Sequence, residues 1–337
     1  MTEPLIQLKH LSKFFPVDTD LLGRTTSLLK AVDDLTLDIF PGEAFGLVGE
    51  SGCGKTTVGK MMVNLYQPTS GEIWFEGQDL AKLSTRARRG RCCDIQLIFQ
   101  DPYASLNPRM TVGDIISEPI RINHLVRRDQ IADRVGYLLN AVGLSANYRN
   151  RFPHEFSGGQ RQRVGIARAL AMQPKLIVCD EPVSALDVSI QAQVLNLLSD
   201  LREEFGLTYL FIAHGLNVVK HISDRVGVMY LGRLVEVASK RELYRNPLHP
   251  YTKALLSAIP VTNPEQRTKR ILLEGDVLSP IDPPPGCRFA GRCYAKADCT
   301  GCACESEMPE LVEVSPGHFL SCYLFDEGRR VLAGEVS

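Results

Sequence analysis

A glycine-rich segment, Gly49-Glu50-Ser51-Gly52-Cys53-Gly54-Lys55-Thr56-Thr57, lies between an apolar run at residues 45–48 and apolar residues at helical spacing. A buried strand, a tight glycine loop and a helix in this order predict a phosphate-binding loop. Its backbone N–H groups can point at one anion, and the helix N-terminus favours negative charge. We expect Lys55 to reach the β and γ phosphates of a nucleotide and Thr56 to bind magnesium. The candidate nucleotide-binding residues are Gly49, Ser51, Gly52, Cys53, Gly54, Lys55, Thr56 and Thr57.

A second motif ends a predicted buried strand in two carboxylates, at Leu176-Ile177-Val178-Cys179-Asp180-Glu181. Acidic residues at the carboxyl end of a parallel strand can lie beside the phosphate loop. We expect Asp180 to hold magnesium, through water, and Glu181 to act as the base or to position the attacking water. Without the upstream loop, an ordinary solvated strand end would be an equally good interpretation.

A third motif, Phe156-Ser157-Gly158-Gly159-Gln160-Arg161-Gln162-Arg163, opens a predicted helix. Ser157 is a good N-cap, and the two glycines allow close backbone approach to an anion. On these grounds alone a plain capped helix is the simpler interpretation. As a phosphate-binding turn it would be surplus to the chain's own ATP, which implies a partner.

The order of predicted elements indicates an α/β fold. Strands at 176–180, 208–213 and 225–229 alternate with a helix at 188–205, which predicts a mainly parallel sheet. Short strands precede the glycine loop, residues 16–29 have the composition of a loop, and residues 101–155 form a mostly helical insertion. We place the nucleotide-binding domain at residues 1–240 and a smaller, loop-rich C-terminal domain at 241–337.

Bulk composition limits the function. The 337 residues are 44% hydrophobic and 23% charged, with a net charge of −1, so nothing predicts a nucleic-acid or anionic-membrane surface. No window of 18 apolar residues could span a bilayer, and the N-terminus lacks the pattern of a signal peptide. We therefore expect a cytosolic chain whose membrane role depends on a partner.

These motifs resemble those of the ATP-binding cassette (ABC) ATPases, in which an LSGGQ-like turn stands just upstream of the Walker B strand. The resemblance implies a RecA-like P-loop NTPase core with an antiparallel β subdomain and a helical subdomain. It implies that Ser157, Gly158, Gly159 and Gln160 contact the ATP of a second subunit. It also implies that Gln100 senses magnesium and the membrane partner, and that His214 contacts the γ phosphate.

Other positions follow from the same resemblance. Ser184-Ala185-Leu186-Asp187 is similar to the D-loop, and Phe15 to the aromatic residue that stacks on adenine, with Phe14 as the alternative. Core packing would explain either phenylalanine equally well. The family usually carries Asp after the switch histidine, where this chain has Gly215, so the orientation of His214 could be less constrained.

Within these ATPases the chain resembles the ATP-binding subunits of dipeptide, oligopeptide and nickel importers, the F-type subunit most closely. The matching segments are LIFQDPYASLNP at 97–108, EPVSALDVS at 181–189, HPYTKALL at 249–256 and PPPGC at 283–287. The resemblance implies ATP and Mg²⁺ as ligands. It also implies partners: a homologous but distinct second ATP-binding subunit, two transmembrane permease subunits and an external solute-binding protein, but no nucleic acid. The location implied is the cytoplasmic face of the inner membrane.

Six of the ten cysteines fall between Cys287 and Cys322. In a reducing compartment this clustering favours metal ligation over disulfides. Four thiolates could hold a [4Fe–4S] cluster or zinc, and members of the resembled group are understood to hold the cluster. The expected ligands are Cys287, Cys293, Cys304 and Cys322, with Cys299 as the alternative to Cys304; unligated thiols are the other interpretation.

The predicted function is therefore hydrolysis of ATP to drive import of dipeptides or oligopeptides, with Glu181, His214 and Gln100 as the catalytic residues. The alternatives are a soluble cassette ATPase acting on ribosomes or DNA, a solute such as nickel or glutathione, and a degenerate regulatory subunit.

Overall fold

Two β-sheets organise the chain. The computed structural model describes residues 3–19, 25–83, 90–91, 93–259, 270–275, 278–299 and 302–325. The strands are β1 Ile6–Thr19, β2 Thr25–Ile39, β3 Ala44–Val48, β4 Ser70–Phe75, β5 Gln78–Asp79, β6 Ile95–Ile98, β7 Leu176–Asp180, β8 Thr208–Ala213, β9 Arg225–Tyr230, β10 Arg233–Ser239, β11 Val312–Ser315 and β12 His318–Leu320.

The larger sheet has the strand order β11-β12-β10-β9-β3-β8-β7-β6. Its centre is parallel, since β3 pairs with β8 and β9, and β7 pairs with β8 and β6. Every residue of β3, β7 and β8 is buried. Strands covered on both faces need continuous apolar runs rather than alternation, which is why these three were recognisable in the sequence.

Helices cover this sheet and carry the loops at its carboxyl edge. They are α1 Lys55–Met62, α2 Pro102–Ser105, α3 Val112–Ile122, α4 Ile131–Ala141, α5 Gly158–Leu170, α6 Val188–Phe205, α7 Leu216–Ile222, α8 Lys240–Arg245 and α9 Pro250–Ser257. The helices α2, α3 and α4 lie within residues 101–155, where the sequence predicts a helical insertion. None of the helices in the described ranges has the length and apolarity that a bilayer crossing requires.

The smaller sheet is antiparallel, in the order β2-β1-β4-β5. Here the prediction of a loop is wrong for residues 16–19 and 25–29, because β1 extends to Thr19 and β2 starts at Thr25; the rest of that prediction, residues 20–24, lies outside the described residues. The two strands continue as a hairpin in which Pro16 lies opposite Leu28 and Asp18 opposite Ser27. Polar, exposed side chains gave this segment a loop-like composition, while the backbone pairing that makes it a ribbon has no signature in composition.

The C-terminal segment extends the larger sheet. Strands β11 and β12 form a hairpin. Strand β12 also pairs with β10, with Leu320 opposite Glu236 and Phe319 opposite Val237. Ile281 also bridges to Leu29 of β2. The domain boundary near residue 240 stays a prediction, but the tail shares backbone hydrogen bonds with both sheets.

Candidate functional site

The phosphate loop joins β3 to α1, as the sequence predicts. Lys55 is buried, and its Nζ donates to the carbonyl oxygens of Gly49 at 2.8 Å and Glu50 at 2.9 Å. Gly54 has a φ of +105°, and a Cβ there would lie 2.0 Å from the Ala31 carbonyl oxygen. Only glycine fits that position, so the loop is compressed against β2 at the point where the helix starts.

The predicted magnesium residues lie together across the loop. The Thr56 hydroxyl donates to Asp180 Oδ1 at 2.8 Å, although the two residues are 124 positions apart in sequence. Asp180 is buried, and desolvation raises the pKa of its carboxyl, opposed by the Thr56 hydrogen bond and by nearby lysines. A hydroxyl and a carboxylate are oxygen ligands of the kind Mg²⁺ prefers, so this donor pair fits the ion.

The three predicted catalytic residues form one cluster. Gln100 Nε2 donates to Glu181 Oε2 at 2.7 Å, and His214 Nε2 lies 2.6 Å from Glu181 Oε1. Glu181 is buried and has a φ of +49°, whereas His214 is 44% exposed. Both carboxylate oxygens of Glu181 are thereby engaged. A left-handed backbone at a non-glycine residue is a form of strain that concentrates at functional sites.

The position after the histidine departs from the resembled family. Gly215 is the N-cap of α7 and carries no side-chain cap. The contact between His214 and Glu181 forms in the absence of an aspartate at this position.

The glycine turn before α5 is capped as predicted. The Ser157 hydroxyl accepts the N–H of Gln160 at 3.3 Å, and the Gln160 side chain accepts the N–H of Ser157 at 3.0 Å. This reciprocal pair is a capping box, which fixes the start of the helix. Ser157 is exposed, and a Cβ on Gly159 would lie 2.5 Å from Ile190 Cγ2. The turn is therefore ordered, closely packed against α6 and open to solvent.

The candidate adenine-stacking residue has a partner that sequence reasoning missed. Phe15 is half-buried and packs edge-on against Tyr66, with ring centroids 5.5 Å apart and Lys13 above its ring. The alternative, Phe14, lies under Lys30. Tyr66 follows α1 by four residues and has no motif that would have marked it.

The cysteine-rich segment encloses a pocket. Its lining includes five cysteines, Cys287, Cys293, Cys299, Cys304 and Cys322, together with His249 and Phe289. Cys299 forms a disulfide with Cys302, and its sulfur lies 3.9 Å from that of Cys304. The four expected ligands thus line one pocket, but among the described residues the sulfur atoms that lie close enough together to share one ion are those of Cys299, Cys302 and Cys304. Cys299, the alternative third ligand, is instead disulfide-bonded in this structure.

Four cysteines lie outside this segment, and the structure describes three of them. Cys53 and Cys179 are buried, and Cys93 is half-buried. Burial raises the pKa of both the Cys53 and the Cys179 thiols. Cys92 lies outside the described residues.

Two protein-family models and several known proteins match this chain. The family model for "ABC transporter" matches residues 32–184, and that for "Oligopeptide/dipeptide transporter, C-terminal region" matches residues 235–299. The oligopeptide transport ATP-binding protein AppF of Bacillus subtilis is 51% identical over 326 residues, covering 96% of this chain and 98% of AppF. The oligopeptide transport ATP-binding protein OppF of Salmonella typhimurium is 55% identical over 301 residues, covering 88% and 89%.

Solved structures agree on the fold. The dimeric post-hydrolysis state of the ATP-binding cassette MJ0796 bound to ADP and Pi aligns with a TM-score of 0.62 and 28% identity, covering 70% of this chain and 99% of that one. The structure of cbiO1 from Clostridium perfringens, part of the ABC transporter complex cbiONQ, aligns with a TM-score of 0.63 and 26% identity, covering 72% and 92%. The parallel sheet and its phosphate loop thus define an ATPase of the cassette class, which confirms the predicted fold.

The chain belongs to the ABC transporter family, among the ATP-binding proteins that carry the oligopeptide/dipeptide transporter C-terminal region.

Proposed function

We propose that this chain hydrolyses ATP to drive import of dipeptides or oligopeptides through a membrane transporter. One observation carries the proposal. A single chain holds a phosphate loop, a carboxylate engaged on both oxygens, and the C-terminal region named for oligopeptide and dipeptide transporters. Both AppF and OppF are named as oligopeptide transport ATP-binding proteins, and each aligns with this chain over most of its length.

The residues divide the chemistry between them. Lys55 and the loop N–H groups would bind the phosphates, while Thr56 and Asp180 would hold Mg²⁺, which would neutralise phosphate charge. Glu181 accepts a proton from the attacking water or orients it, since Gln100 and His214 fix the direction of its carboxylate. From the same position beside Glu181, His214 would contact the γ phosphate and Gln100 would sense magnesium and the membrane partner, as the family resemblance implies.

The exposed turn at Ser157 supports action as a pair. We propose that a homologous, distinct ATP-binding subunit binds head to tail, so that each ATP lies between one loop at 49–57 and the other chain's turn at 157–160. A dimeric cassette bound to ADP and Pi is among the solved neighbours, which supports the pairing of two such chains. Two permease subunits and an external solute-binding protein complete the proposed assembly at the cytoplasmic face of the membrane, with no nucleic acid.

Reconstitution tests the function. The chain would be co-expressed with a homologous ATP-binding subunit and two permease subunits from its own organism, and the complex would be placed in nanodiscs. We expect the ATPase rate to rise when a peptide-loaded binding protein is added, and Glu181→Gln to abolish that rise. If only nickel complexes or glutathione stimulated the ATPase rate, that compound rather than a peptide would be the transported solute. Recovery of the chain only with ribosomes or nucleic acid, and never with detergent-extracted membranes, would favour the soluble ATPase instead.

We propose further that Cys287, Cys293, Cys304 and Cys322 hold a [4Fe–4S] cluster, as the resembled group implies. Four thiols lining one pocket support a tetrahedral thiolate site, for which zinc is the competing metal. Iron and acid-labile sulfide analysis of anaerobically purified chain would decide between them. About four of each per chain is the expected result, and zinc without sulfide would refute the cluster. Cys304→Ser should abolish binding of the cluster, whereas Cys299→Ser should leave it bound.

A further inference from the structure

One residue of the phosphate loop is held by the C-terminal segment at both its backbone and its side chain. The backbone N–H of Glu50 donates to the Tyr251 hydroxyl at 3.0 Å, across 201 positions of sequence. The Arg292 guanidinium lies 2.9 Å and 3.2 Å from the two carboxylate oxygens of Glu50. The Arg292 side chain is only 11% exposed and that of Glu50 29%, so water weakens this ion pair less than a surface pair.

Both holding groups are fixed by their own packing. Tyr251 is fully buried and makes ring contacts with Tyr230 at 4.8 Å and Phe289 at 5.4 Å between centroids. Arg292 also approaches the Tyr230 hydroxyl at 3.3 Å. A buried tyrosine with two ring neighbours has little rotational freedom, so its hydroxyl offers a stationary acceptor to the loop.

The contact reaches Lys55 through a single peptide unit. The N–H of Glu50 and the carbonyl of Gly49 belong to the same planar peptide, so fixing one end fixes the direction of the other. That carbonyl accepts the Lys55 ammonium at 2.8 Å, and the Glu50 carbonyl accepts it at 2.9 Å. The tail therefore orients the Gly49 carbonyl directly, and it holds the residue that carries the second oxygen acceptor of the phosphate-binding lysine.

We propose that Tyr251 and Arg292 are positioning residues for ATP binding, acting through Glu50 on the loop that carries Lys55. The inference rests on the proposed function in that it takes this loop as the ATP site. It assigns to the C-terminal segment a part in nucleotide affinity, separate from any ligand of the cysteine pocket.

The test is a double-mutant cycle on the purified full-length chain, with ATP affinity measured by calorimetry in the presence of Mg²⁺. Arg292→Gln and Glu50→Gln should each weaken ATP binding by about 3- to 10-fold, which is the effect of losing a partly buried charged contact. The double variant should be no weaker than either single one. Tyr251→Phe should act in the same direction, and Arg292→Lys should restore part of the affinity.

Controls separate positioning from general loosening. Glu305→Gln breaks the 2.5 Å ion pair with Lys296 in the same segment, away from the loop, and should leave ATP affinity unchanged. In the reconstituted complex KM should rise for Arg292→Gln with kcat within about twofold, because the contact acts on binding. Unchanged affinity in Arg292→Gln, or fully additive effects in the cycle, would overturn the inference. A wild-type chain that binds no ATP, or a Lys55→Ala chain that binds it normally, would instead refute the proposed function.

Discussion

At the scale of single residues, Glu181 combines burial, a left-handed backbone and two side-chain partners. Gln100 comes from the segment after β6 and His214 from the end of β8, so the cluster depends on three neighbouring strands of the larger sheet. This geometry favours one direction of the Glu181 carboxylate.

Replacing Glu181 by Gln should slow ATP hydrolysis by about 100-fold or more in the assembled complex, since an amide of the same shape cannot accept the proton. ATP binding should persist, because Lys55 and Thr56 are unaltered. Single-turnover phosphate release and ATP affinity are the two measurements, and Glu204→Gln on α6 is the matched carboxylate control. An unchanged rate in Glu181→Gln would mean that this subunit is regulatory.

A second prediction at residue scale concerns Gly54. Alanine there should lower the free energy of unfolding by at least about 2 kcal/mol more than alanine at Gly42. Both glycines have positive φ, but a Cβ at Gly54 would meet the Ala31 carbonyl oxygen at 2.0 Å, whereas Gly42 has nothing within 4 Å. Urea unfolding of the two variants provides the comparison. Equal losses would mean that backbone conformation, rather than the close approach to β2, requires glycine.

At the scale of elements, the two sheets are joined by an ion-pair cluster at the turn between β4 and β5. Glu76 contacts Lys175, just before β7, at 2.5 Å and Arg91, just before β6, at 2.7 Å. Hydrogen bonds from Lys175 and Arg91 hold the pKa of the Glu76 carboxyl below its usual 4.5. The cluster therefore ties the antiparallel sheet to the edge of the parallel one.

Glu76→Gln should lower the free energy of unfolding by about 1 kcal/mol at neutral pH. The double variant Glu76→Gln/Lys175→Gln should show the same loss, because the ion pair is already absent in the single variant. A carboxyl whose folded pKa lies below its unfolded value stabilises the fold above the unfolded value and loses that contribution as pH falls through the folded one. The difference between wild type and variant should thus shrink from pH 7 to about pH 3. A difference that stays constant over that range would contradict an ionic origin.

Elements that bury a regular set of apolar side chains were predictable, and pairings between exposed strands were not. The helix Val188–Phe205 and the strands Leu176–Asp180 and Thr208–Ala213 lie where apolar patterning predicts them. The pairing of residues 16–19 with residues 25–28 escaped prediction because it depends on backbone hydrogen bonds between exposed strands. The pairing of β12 with β10 escaped because the strand is short and its partner lies 82 or more positions earlier.

At the scale of the whole molecule, local motifs predicted which residues would act on the nucleotide, but not which distant residues hold them in place. The phosphate loop and the carboxylates at residues 180–181 carry spacing that chemistry imposes, so the sequence alone indicates their roles. Tyr251 and Arg292 reach Glu50 only through the tertiary fold, and no sequence pattern links positions 201 and 242 residues apart. Those contacts depend on the pairing of the C-terminal segment with β2 and β10, which brings Tyr251 and Arg292 to the phosphate loop.

The last prediction concerns the proposed head-to-tail pair. Ser157→Asp keeps an N-cap oxygen for Gln160, since aspartate caps as well as serine does, but it adds a negative charge to the exposed turn. Ser157→Asn caps equally well without charge and is the matched control. If the turn serves the partner's ATP, the aspartate should repel the incoming phosphates while leaving the folded chain and its own ATP affinity intact.

The measurement uses chains that already carry Glu181→Gln, so that bound ATP persists, mixed with the homologous subunit carrying the equivalent change. Sedimentation should show ATP-dependent pairing of the homologous subunit with the Ser157→Asn chain. Its affinity for the Ser157→Asp chain should be at least about tenfold lower, because about 1.4 kcal/mol of charge repulsion corresponds to that factor. Melting curves should be alike for the two variants. Equal pairing, or a loss of the chain's own ATP affinity in Ser157→Asp alone, would show that the turn does not complete a neighbour's site, because the charge would then act within one subunit.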